Sequence, residues 1–191
     1  MTTGPRYAHT VLMTNRLTEM RDWYCTVLGA HVVYENPFLC FITYDDEHHR
    51  MAFATAPEGQ LVERPQNSTG LMHTAYTFPD LTALLAHYSK LKSEGIEPRI
   101  PMQHGVTTSL YYRDPDGQLV ELQIDNFARA EDATEYMHGA EFAENPIGVI
   151  YDPQRMLDAL HDGVDETTLK SRAWAAQDPQ PPHPMAAFAP D

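Results

Sequence analysis

Three side chains, far apart in the chain, are of the types that hold a redox metal: His9 in RYAHTVL, His73 in LMHTAYTF and Glu121 in YYRDPDGQLVELQID. Two imidazoles and one carboxylate can occupy one face of an octahedral ion and leave the opposite face open. This 2-His-1-carboxylate arrangement is the non-heme Fe(II) site that activates O2, and Mn(II) accepts the same N/O donors. Glu121 stands between Val120 and Leu122 in an otherwise apolar strand pattern, where alternation puts it on one face with Leu119 and Gln123. An unpaired carboxylate facing a core would cost several kcal/mol, and a bound cation removes that cost. A lone histidine in a strand is more often a hydrogen-bonded structural residue than a ligand. His9 and His73 depart from that norm because they recur at the same place in two similar stretches.

The elements that must position these residues come as a repeat. Residues 6–12 alternate like a strand, and LTEMRDWYCTVLG then sets Leu17, Met20, Trp23, Tyr24, Val27 and Leu28 at helical spacing before closing on Gly29. Strand-like runs follow at 31–35, 38–44 and 49–55. The order recurs: a strand at 71–78, a helix with Pro79 near its start and Gly95 past its end, then strands at 97–101, 106–113 and 118–125. Asp114-Pro115-Asp116-Gly117 turns the chain between the last two. Strand-helix-strand-strand-strand therefore occurs twice, joined by 57–70, and the two histidines are offset by 73 − 9 = 64 residues. An α+β fold of two tandem βαβββ modules is expected, module one at 6–56 and module two at 71–125. Residues 127–191 read as an extension of helices and loops that packs on a sheet or across a subunit interface. Its tail, DPQPPHPMAAFAPD, is too rich in proline to promise a fixed conformation.

Composition limits the partners. A formal charge of −14 argues against nucleic acid or an anionic membrane. No apolar run approaches the roughly 20 residues that span a bilayer, and MTTGPRYAHT has no signal-peptide core. Cys25 and Cys40 fit buried thiols in a reducing cytoplasm, so a cytoplasmic protein is expected. Apolar residues beyond 127, among them Phe142, Ile147 and Leu160, need covering, and a homo-oligomer, a dimer by base rate, is expected.

The paired modules and the His…His…Glu order resemble the vicinal oxygen chelate superfamily, and within it the one-domain type I extradiol catechol dioxygenases. AHTVL resembles the segment of the first metal ligand, LMHTAY the second, and YRDPDGQLVEL the third. HHRMAFA resembles the segment that holds an acid-base histidine, which implies that role for His49. HGVTTSLYY resembles the segment with a substrate-contacting histidine and tyrosine, which implies His104 and Tyr111. The resemblance implies a curved eight-stranded half-barrel around the metal, in a domain spanning 1–126. It also implies a reaction in which both atoms of O2 enter a catechol and open its ring beside the diol, in the catabolism of aromatic compounds. Fe(II), or Mn(II), would be the cofactor, O2 the co-substrate and a catechol-type aromatic diol the substrate.

Two other readings stand beside this one. A glyoxalase-like isomerase of the same fold normally takes a fourth ligand, a carboxylate from the last strand of module one, and HRMAFAT has none. A metal-free small-molecule-binding protein of this fold would need neither His9, His73 and Glu121 together nor an acid-base histidine. Phe38, Phe41, Tyr76 and Tyr112 are candidates to line an apolar pocket.

Overall fold

A computed structural model describes residues 4–65 and 68–188, so part of the expected linker and the last three residues of the tail lie outside the described residues. The chain divides into two compact units. One runs to Ser68 and includes Asp114–Gln118; the other comprises Thr69–Arg113 and the chain from Leu119 onward.

The first unit is a βαβββ module: β1 (Thr10–Met13), α1 (Leu17–Leu28), β2 (His31–Asn36), β3 (Leu39–Thr43) and β4 (Met51–Ala54). Its sheet runs β1-β4-β3-β2, with β1 and β4 parallel and the other pairs antiparallel. The helix ends where the sequence signals it: Gly29 takes φ 63°, a left-handed value open to glycine at little cost, its own amide closes on the Thr26 carbonyl and the Ala30 amide on that of Cys25. Met20, Tyr24 and Val27 are buried, with the Tyr24 ring 5.1 Å from that of Phe53. In register, Cys40 pairs with Phe53 and Ile42 with Met51, all four fully buried. Parity puts Phe41, Ala52 and Ala54 on the opposite face. Cys40 is a buried free thiol and Cys25 a partly buried one.

The second unit repeats the plan with β5 (His73–Thr77), α2 (Leu81–Ser93), β6 (Ile100–Gln103), β7 (Thr107–Arg113) and β8 (Leu119–Asp125). Asp80 caps α2 by accepting from the amide of Ala83. Leu81, Leu84, Leu85, Tyr88 and Leu91 are buried at α2, which packs on β8, each leucine worth about 1.5–3 kcal/mol. Leu110 and Tyr112 of β7 share a face with Val120, Leu122 and Ile124 of β8, and all are buried. That face belongs to the core. It removes Tyr112 and Tyr76 from the pocket-lining candidates, because Tyr76 pairs with Leu122.

Three expectations shift. The second strand of module two is Ile100–Gln103 rather than 97–101. His9 lies one residue before β1 and His49 two residues before β4, instead of inside the strands. The extension, expected as helices and loops, also supplies a strand, β9 (Val149–Ile150), which joins the second sheet antiparallel to β6 and gives the order β5-β8-β7-β6-β9.

The extension begins with α3 (Ala130–Met137) and α4 (Ala140–Glu144), which precede β9; α5 (Pro153–His161), α6 (Glu166–Leu169) and α7 (Arg172–Ala175) follow it. The tail, expected to lack fixed structure, forms a closing 3₁₀ turn at Pro184–Phe188. Gln180 accounts for part of this order. Its side chain accepts from the amide of Ile150 and donates to the same residue's carbonyl, pairing the outer edge of β9 as a strand would. Neither sheet closes into a barrel, and no described helix is long and apolar enough to cross a membrane.

Candidate metal and substrate site

The face of the second sheet opposite α2 gathers four of the six residues singled out from the sequence. The register pairs Tyr111 with Glu121, Ala75 with Glu121 and His73 with Leu119, so His73, Ala75, Glu121 and Tyr111 share that face. Nε2 of His73 lies 3.1 Å from Oε2 of Glu121. Glu121 is 4% exposed. Burial pushes its carboxyl up, but hydrogen bonds from His73 and Ser109 and the nearby imidazoles outweigh that and hold it below the ordinary value, so it is ionised.

His104 stands beside Tyr111, with Nε2 2.9 Å from the phenol oxygen, while its Nδ1 meets the carbonyl of Ile147. A carbonyl only accepts, so Nδ1 carries the proton, and the neutral ring's Nε2 then accepts from the Tyr111 hydroxyl. Burial, first of all, lowers the pKa of His104 and raises that of Tyr111, so both are uncharged near neutrality.

The first unit holds the remaining two. The rings of His9 and His49 are 4.4 Å apart, and Phe41 stacks on His49 at 4.8 Å with 16° between planes. Phe41 therefore belongs to the histidine group, whereas Phe38 is exposed. His48 approaches His49 through their Nδ1 atoms at 2.6 Å. Burial, then the neighbouring His9 and His48, push the pKa of His49 below its usual value.

The six residues thus fall into two groups, His9 with His49 and His73 with Glu121, Tyr111 and His104. Among the described residues no three or more His, Cys, Asp or Glu side chains are clustered so as to hold a metal. The donor set nevertheless suits a divalent ion. Nδ1 of His73 is buried without a hydrogen-bond partner, and the adjacent carboxylate is buried and ionised. A cation bound here would supply the positive charge that such a carboxylate requires.

Several positioning residues were not legible in the sequence. Arg50 donates to the carbonyls of Tyr7 and Ala8 at 2.8 and 3.1 Å and pairs with Asp45 at 2.9 Å, fixing the segment that carries His9 against the one that carries His49. The His104 segment is braced by the extension: buried Arg172 donates to the carbonyls of His104 and Glu141 and lies against the rings of Tyr136 and Phe142. Gly148 is required where the extension crosses β6. It has φ 121°, and a Cβ there would sit 2.4 Å from the carbonyl oxygen of Gln103. Contacts across 30 to 70 residues of irregular chain leave no periodic signal.

Residues 6–122 match the Glyoxalase/Bleomycin resistance protein/Dioxygenase superfamily, and the chain belongs to that family. Two curated relatives extend the likeness past the family domain. Biphenyl-2,3-diol 1,2-dioxygenase 3 of Rhodococcus globerulus is 56% identical over 94% of this chain and 95% of its own length; biphenyl-2,3-diol 1,2-dioxygenase 2 of the same organism is 55% identical over 98% and 99%. Solved structures agree on the fold alone. A lactoylglutathione lyase from Agrobacterium tumefaciens has TM-score 0.51 at 18% identity, covering 64% of this chain and 96% of its own. A glyoxalase/bleomycin resistance protein/dioxygenase from Nocardioides has 0.51 at 20%, covering 65% and 86%.

Proposed function

We propose that the protein is an extradiol ring-cleaving dioxygenase of aromatic catabolism, acting on an aryl-substituted catechol of the biphenyl-2,3-diol type. The observation that carries this reading is the buried, ionised Glu121 paired with His73 on the sheet face that also bears the Tyr111–His104 pair. The near full-length identity to two biphenyl-2,3-diol 1,2-dioxygenases supports the substrate class.

His9, His73 and Glu121 would hold Fe(II), with Mn(II) as the alternative. When bound, the metal supplies a template for the diol and O2 and a route for electrons between them. The protein contributes geometry and protons. His49, held neutral by burial and by neighbouring imidazoles, accepts a proton and later returns it during ring opening. The Tyr111 hydroxyl, whose own proton is directed at His104, is left to accept from a substrate hydroxyl. His104, locked in one tautomer by the Ile147 carbonyl, keeps that direction fixed. Buried apolar residues around Tyr111 exclude water from the ring.

Metal analysis tests the ligand assignment. Ala at His9, His73 or Glu121 should abolish stoichiometric iron while the chain stays folded. Full retention in Glu121→Ala would remove Glu121 from the set. The lack of a carboxylate in MAFA of β4 weighs against the glyoxalase-like alternative.

A further inference from the structure

Along its β6 side, the face of the second sheet that bears His73 and Glu121 ends against the chain's own tail. Ile100, Met102, Tyr111 and Leu119 form an apolar cluster there, and Ala187 and Phe188 of the closing 3₁₀ turn pack against it with Ile150. The Phe188 ring meets the Tyr111 ring edge-on, with centroids 5.3 Å apart and planes at 82°. His73 meets the same ring edge-on at 5.4 Å and 85°. One tyrosine therefore touches both a proposed metal ligand and the end of the chain. Tyr111 is almost fully covered, whereas Phe188 is only half-buried and keeps part of its ring open. On the same face, the residue opposite Glu121 on the β5 side is the small and exposed Ala75. Bulk thus stands on one flank of the carboxylate and room on the other.

We infer that Phe188 is a specificity-determining residue: its uncovered ring surface is an apolar wall of the catechol pocket and receives the second ring of an aryl-substituted catechol. This rests on the ring-cleaving reading above. Edge-to-face and offset contacts between aromatic rings add to the burial of their area, and an alanine at the wall forfeits both. A catechol without a second ring does not reach the wall, so its binding is indifferent to the substitution. If Phe188 only covered Tyr111, both ligands would suffer alike.

The test uses the Fe(II)-loaded full-length protein. Anaerobic calorimetry gives dissociation constants for catechol and for biphenyl-2,3-diol in the parent, Phe188→Ala and Phe188→Leu, and steady-state ring cleavage gives kcat/KM for each pair. The expected result is a loss of about tenfold or more in affinity and kcat/KM for biphenyl-2,3-diol in Phe188→Ala, with catechol changed by less than about threefold. Phe188→Leu keeps an apolar contact to Tyr111 but no ring, and should fall between parent and alanine variant, which secures the comparison if the alanine variant unfolds. Equal weakening of both ligands overturns the inference, as does a parent that binds them equally well. Selective binding without ring cleavage contradicts the reaction and leaves the wall standing.

Discussion

His49 and Tyr111 differ in what their removal should do. His49→Phe deletes no ligand, so iron and catechol should still bind, while loss of a well-placed proton-transfer group lowers ring cleavage by about 10² to 10⁴. Tyr111→Phe deletes one hydroxyl and leaves that proton route intact, so its loss should be the smaller. Steady-state rates at saturating diol and O2, corrected for iron content, check both; an unimpaired His49 variant would move the role to His104. Asp114 carries a different consequence. Burial pushes its carboxyl up to about 6, against the opposing hydrogen bonds from the Gln118 amide and the Tyr24 hydroxyl. Between about pH 4 and 6 the folded chain keeps a proton that the unfolded chain has released, so this group's contribution to stability falls as pH rises through that window. Asp114→Asn should therefore be less sensitive to pH there than the parent, by on the order of 2 kcal/mol. Denaturant titrations at pH 4.5 and 7 measure the difference, and identical pH dependence in the two proteins would refute it. Glu121 was legible as a site residue because a carboxylate amid alternating apolar residues demands compensation. The tautomer of His104 was not, because the partner that sets it, Ile147, lies 43 residues away.

At the scale of elements, the two βαβββ modules followed from local signals: helical periodicity, Gly29 as a cap, Pro79 near the start of α2 and Gly95 past its end, and the alternation around Glu121 in β8. The 64-residue offset of the histidines was readable for the same reason. Strand ends were less so, since His9 and His49 lie outside the ladders and are held instead by Arg50. The extension was the least legible part. β9 is two residues long and exists because β6 offers it an edge, and the closing 3₁₀ turn exists because the Tyr111 cluster offers it a surface. Gly148 tests the value of this crossing. Alanine there must take a positive φ and meet the Gln103 backbone, so Gly148→Ala should cost about 2 kcal/mol or more and lower Tm by roughly 4–8 °C. Because the same Cβ would come 3.0 Å from Cα of His104, ring cleavage should drop with it. A melting curve that superimposes on the parent's would show that the crossing carries no strain.

The edge strand β2 exposes Val32, Val33 and Tyr34, with Phe38 exposed just beyond it, and an apolar edge is a template for pairing. We expect a homodimer at micromolar concentration, strengthened by salt because each chain carries a formal charge of −14. Light scattering at low and high salt checks this, and a monomer under both conditions would refute it. The whole molecule should open the ring of an aromatic diol. The most direct measurement is O2 uptake, recorded together with the yellow ring-fission product, after anaerobic Fe(II) reconstitution and addition of biphenyl-2,3-diol. One O2 should be consumed per product formed in the parent protein, with neither uptake nor product in Glu121→Ala. A fully iron-loaded parent that consumes no O2 with this diol or with catechol would contradict this.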